Sequence, residues 1–265
     1  MSRFTFAVLV SAVVASASSP VAAQQVPGRD LLEFPIGLLA EAPPLSSRMA
    51  GGLWNPAASA LGSDARGEIG FAGLTTSKDQ GVSLEMLAGE YRFRPSTTFS
   101  LTYTQASVSD IFRTDTDPQT LPGEIHYATS LLSGGLATKI RPDITVGVAA
   151  RYRWAAIDTA NTGVLSVDAG AIVDHVAGTP LRVALSTFLF SPSRSREAAT
   201  YEAAVDGPVY HRDSTVAVRA GVSVDHTDGR GHEGYVFTTA TYHEFDASAG
   251  LVQSRAYGTS DQRVR

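Results

Sequence analysis

Long runs of strict two-residue alternation constrain this chain more than any other feature. Ile144–Trp154 shows it best. Ile144, Val146, Val148, Ala150, Tyr152 and Trp154 share one parity; Thr145, Gly147, Ala149, Arg151 and Arg153 share the other. Successive side chains of a strand point to opposite faces, so the two sets separate in an extended chain and mix in a helix. The same pattern runs through Val216–Asp225, through Leu181, Val183, Leu185 and Leu189, through Phe99, Leu101 and Tyr103, and through Leu165, Val167, Ala169, Ala171 and Val173. Eleven strands are expected, near 65–76, 81–94, 97–109, 124–140, 143–157, 162–175, 180–191, 197–206, 213–225, 232–244 and 246–257, with Arg263–Arg265 starting a twelfth. In the second, Val82, Leu84, Met86 and Ala88 are in phase while Tyr91 and Phe93 are one residue out, which predicts a bulge near Gly89. These strands are long. A globular strand averages about 5–6 residues, and a membrane-crossing one needs about 9–11.

The connections alternate in character. Arg94–Thr97, Arg141–Asp143, Val176–Pro180, Gly207–Arg212 and Phe245–Asp246 are mostly short and often carry Pro. Thr76–Gln80, Asp110–Gly123, Asp158–Asn161, Pro192–Arg196 and His226–Gly231 form the other set, which includes the long polar Asp110–Gly123. Outer-membrane barrels have short turns at one end and longer loops at the other. Tyr91 and Phe93, Tyr152 and Trp154, Phe188 and Phe190, and Tyr242 and Phe245 lie near strand ends, where aromatic girdles sit. The competing reading is a secreted soluble β-sandwich, with these aromatics as ordinary core.

Charge and composition exclude other classes. A net charge of -5 argues against a general nucleic-acid binder. The absence of cysteine removes disulfide scaffolds, thiolate metal sites and cysteine nucleophiles. Residues 1–23 carry Arg3, an apolar run from Phe4 to Val14 and small residues ending Val21-Ala22-Ala23, the pattern of a cleaved secretory signal peptide.

Residues 24–64 differ from the rest. Pro35, Gly37, Pro43-Pro44, Gly51-Gly52 and Pro56 break any long helix or central strand, yet the segment is too apolar for a solvated tail. It needs a surface to pack on, and the interior of a barrel is one. Trp54-Asn55-Pro56-Ala57-Ala58, after Gly51-Gly52-Leu53, resembles the aromatic-Asn-Pro-Ala element of FadL-type outer-membrane proteins and their PorV-like relatives. The strand–turn–strand run Lys139–Val148 is similar to those barrels as well. The resemblance implies an N-terminal plug at 24–64, with Trp54, Asn55, Pro56 and Ala57 as its motif, and a barrel over 65–265. It further implies uptake of hydrophobic or amphipathic small molecules, or, in the PorV-like case, a non-conducting partner of secretion or surface-attachment machinery. Family barrels usually have fourteen strands; here about twelve are expected, the last incomplete.

The expected fold is thus all-β, an antiparallel transmembrane barrel in a bacterial outer membrane, contacting lipid and taking no cofactor. Glu85, Arg151, Arg153, Asp168, Arg182 and Arg219 fall in phase with small polar residues and are expected to face the lumen, because Arg on the lipid face costs about 2–4 kcal/mol near the midplane. Asp225–Glu233 holds two His and three carboxylates that could ligate a metal, but Gly229 and Gly231 favour a polar hairpin. Asp110, Asp115 and Asp117 lack the Gly and terminal Glu of an EF-hand loop. No Gly-x-Ser-x-Gly elbow or P-loop occurs, and His126, His175, His211 and His243 are scattered, so no enzyme is expected.

Overall fold

A computed structural model describes residues 26–33, 42–46, 51–61, 66–76, 81–109, 111, 125–158, 160–191, 197–212, 216–242, 245–256 and 259–264. The signal-peptide segment and Asp110, Asp115 and Asp117 lie outside them. Alternation has its expected result: twelve strands, each paired antiparallel with its sequence neighbours, in one sheet ordered β1 to β12. They are β1 Gly67–Thr75, β2 Val82–Arg94, β3 Thr97–Val108, β4 Tyr127–Arg141, β5 Ile144–Ile157, β6 Ala160–Val173, β7 Arg182–Phe188, β8 Thr200–Arg212, β9 Val216–Thr227, β10 Gly231–Tyr242, β11 Phe245–Ala256 and β12 Thr259–Val264. Among the described residues β1 and β12 do not pair, so the sheet is a curled ladder that is not closed. Among the described residues no helix is long and apolar enough to cross a membrane, a test that does not bear on strands.

Several expectations need correction. β2 runs in register past Gly89, which pairs with Leu101; the irregularity lies between Arg92 and Arg94. Leu84 and Ala88 therefore face the buried side while Leu87, Tyr91 and Phe93 face out. Gly207–Arg212 is not a turn. β8 continues through it, absorbing Pro208 in an irregularity between Pro208 and Tyr210, one of the few places a strand accepts Pro. Phe245–Asp246 opens β11, and β12 begins at Thr259, earlier than expected. β7 stops at Phe188 because Leu189 adopts a left-handed φ of 59°. Its ladder with β6 consequently spans only Gly170–Val173 against Val183–Ser186, while β5 pairs with β6 along its full length.

The two faces of the sheet are inverted relative to a soluble protein. One face exposes Ile69, Phe71, Leu87, Leu101, Leu136, Val148, Leu165, Leu185, Val222, Val236 and Leu251, among others. The other buries Thr98, Ser100, Thr102, Ser133, Arg151, Arg153, Ser166, Asp168, Ser186 and Glu202. The described residues between Val26 and Leu61 cover this polar face. Leu53 and Trp54 share one apolar cluster with Leu84 of β2, Leu131 of β4 and Phe188 of β7. In a flat sheet β2 and β7 would stand about 24 Å apart, five spacings of about 4.8 Å. A common cluster requires the sheet to curl around the segment. A second cluster joins Leu45, Ala57 and Ala58 to Ile172, Ala184, Ala204, Tyr235, Phe237 and Val252, from β6 to β11.

Candidate functional site

The covered face and the segment on it form the site, and the Asn-Pro-Ala turn is its anchor. Asn55 is fully buried. Its Oδ1 accepts from the Ala57 N–H at 3.0 Å, capping the 3-10 turn Pro56–Ala60, and its Nδ2 donates to the Pro44 carbonyl at 2.8 Å. One side chain thus closes the turn after it and ties back the turn before it. The sheet accepts this turn through two glycines. Gly147 of β5 and Gly170 of β6 are register partners on the covered face. A Cβ on Gly170 would stand 1.8 Å from Asn55 Oδ1, and one on Gly147 would stand 2.4 Å from the Pro56 carbonyl carbon. The Asn55 amide and the Pro56–Ala57 backbone occupy the space where two side chains would be. Trp54 meets Phe188 with ring centroids 5.3 Å apart.

Three charge networks complete the face. Arg151 and Asp168 pair at 2.5 Å, both wholly buried. Asp168 also accepts the Leu189 and Phe190 N–H groups at 3.1 and 2.9 Å, holding the chain where it leaves β7. The Arg151 guanidinium lies 4.8 Å from the Phe188 ring centroid. In the second network Glu197 takes Arg153 on one oxygen at 2.6 Å and Arg29 on the other at 3.3 Å. Arg153 donates onward to the carbonyls of Pro27 and Val26, and Arg29 to Ala198 and Thr200. Burial pushes the Glu197 carboxyl above the usual glutamate range, against the pull of Arg153 and Arg29. Arg230 bonds Asp30 and Glu33 in the same region, fixing the short helix Arg29–Glu33. In the third, Asp206 receives two bonds from Arg182 and two from Arg219.

Five of the six charged residues expected to share a face therefore do so, each in an ion pair: Arg151, Arg153, Asp168, Arg182 and Arg219. Glu85 does not. It stands exposed, on the same parity of β2 as Leu87 and Tyr91, opposite Gln105. The misplacement follows from the misread phase of β2. The sequence reading missed Asn55's glycine socket, Glu197, Glu202 and Asp206. Gly147 and Gly170 carried the signal, since an isolated glycine inside a strand marks a close backbone approach. Asp225–Glu233 forms a hairpin turn over Asp228–Arg230 between β9 and β10. Among the described residues no three metal-ligating side chains converge.

No protein-family model matches this chain, and a search of curated proteins finds no match.

Proposed function

We propose that this chain is an outer-membrane β-barrel whose interior is filled by its own N-terminal segment, as in the FadL-type and PorV-like proteins its Asn-Pro-Ala element resembles. The observation that carries this reading is the inversion of the sheet, apolar where exposed and polar where buried. In water an exposed apolar face of that extent is costly, at about 25 cal/mol per Å². In lipid it is the lower-energy arrangement. On β5 the outward set from Ile144 to Trp154 rises about 33 Å along the strand, or about 25 Å at a tilt of about 40°, which matches the apolar band of such barrels. Tyr103, Tyr152 and Trp154 cluster at one end of that band, with Tyr152 and Trp154 stacked at 5.5 Å, where an interfacial girdle belongs. Closure of β1 on β12 is part of the proposal.

Transport of hydrophobic or amphipathic small molecules would then require the segment to move, since its described residues lie against the polar face. A second reading, a non-conducting partner of secretion or surface-attachment machinery, is favoured by the ion pairs that lock the segment to the wall. Expression with residues 1–23 in place, followed by membrane fractionation and heated against unheated gel migration, tests the common part. Outer-membrane recovery with a heat-dependent shift is expected. A soluble periplasmic product without the shift refutes the barrel and returns the chain to the β-sandwich reading.

A further inference from the structure

We propose that His226 and His232 form a two-point binding site for a divalent first-row transition metal on the outer face of the β9–β10 hairpin. The two residues are direct register partners flanking the turn. Their rings lie 4.5 Å apart, and the two Nδ1 atoms approach to 3.1 Å. That approach is a hydrogen-bond contact, one ring donating its Nδ1 proton to the other. With metal–nitrogen bonds of about 2.05 Å, an ion taking the place of that proton at this separation would be flanked at about 98°, between octahedral and tetrahedral angles. The rings are 30° from parallel, so each must rotate about its Cβ–Cγ bond to turn its lone pair toward the common point. His232 is exposed, and the His226 side chain is half-exposed between His232 and Tyr201.

Two neighbours prepare the pair. The Asp228 carboxylate lies 3.6 Å from His226 Nε2. At that distance it makes no hydrogen bond, but it places negative charge beside the pair, where a cation would be attracted. Tyr201 of β8 stacks on His226 at 6.4 Å and 15° and orients the ring from the other side. Arg230, the cation in the turn, is engaged with Asp30 and Glu33. Two protein nitrogens leave the remaining coordination positions to water or to an external ligand. The site is independent of the membrane reading.

The test uses the full chain, metal-stripped, titrated with Cu²⁺, the ion that nitrogen sites of this kind hold most tightly. One equivalent with electron-paramagnetic-resonance coupling to two imidazole nitrogens is expected. His226→Gln and His232→Gln should each weaken binding at least tenfold, while His211→Gln, on the far part of β8, should leave it unchanged. Far-UV circular dichroism confirms that each variant keeps its β signature. Coupling to fewer than two imidazoles, or variants that bind within twofold of wild type, overturns the proposal. If a glutamine variant fails to fold, His226→Ala or His232→Ala takes its place, because six histidines leave a wild-type spectrum unassigned.

Discussion

Asn55 does three jobs with one amide. It caps a turn, bonds the Pro44 carbonyl and fills the socket over Gly170. Asn55→Ala should cost about 1–2 kcal/mol from the lost cap and the orphaned carbonyl. Gly170→Val should release the segment outright, because its Cβ and methyls need the volume that Asn55 holds. Limited proteolysis of residues 24–64 measures both: slow cleavage in wild type, intermediate in Asn55→Ala and fast in Gly170→Val. Equal rates in all three would mean that the segment is not held by this turn. Asp168→Ala should be more severe in global stability, about 3–5 kcal/mol by denaturant titration, since it leaves Arg151 buried without its counter-ion and the Leu189 and Phe190 N–H groups without their acceptor. The residue types of this site were readable in the sequence, but their partners were not. Arg151, Asp168 and Gly170 declared their face by parity. That Asn55 lies against Gly170 depends on how a segment 115 positions earlier in the chain threads a curled sheet, which no local pattern records.

At the scale of elements, strands with clean alternation were legible nearly to their ends. Ile144–Ile157 is the plainest case, because no charged residue falls in its outward set. β2 was misjudged because both its parities carry large apolar residues, Leu84 and Met86 inward beneath the segment, Leu87 and Tyr91 outward. When a strand is apolar on both faces, phase cannot be read from hydrophobicity. The tail of β8 was misjudged because Pro208 looked like a turn and is an irregularity in the ladder. Element identity also separates the two solvent environments. Val148→Arg, in the middle of the exposed face of β5, should cost about 2–4 kcal/mol when the protein is folded into lipid vesicles and titrated with urea. A soluble sandwich would accept the same change with little loss, so a cost below about 0.5 kcal/mol argues against lipid contact.

For the whole molecule, the described part of the N-terminal segment lies against the buried face of the sheet, and ion pairs are made between the segment and the wall as well as within the wall. Reconstituted in planar bilayers, the wild type should therefore conduct negligibly. Deletion of residues 26–61 or the Gly170→Val change should open steps of measurable conductance. Stable open-pore conductance in wild type would contradict a fixed filling. The short β6–β7 ladder gives this architecture a mechanical grain. Among the described ladders it has the fewest register pairs, four, supplemented by the Val167 N–H bond to the Phe190 carbonyl, the Ala169 N–H bond to the Thr187 hydroxyl, the Asp168 clasp and the apolar contact of Trp54 with Phe188. Pulled from one end by a force probe, such a wall would part as two panels, β1–β6 and β7–β12, before either panel unravelled strand by strand. The N-terminal segment, touching both panels, would act as the stitch between them, and cutting it should lower the rupture force at that one line.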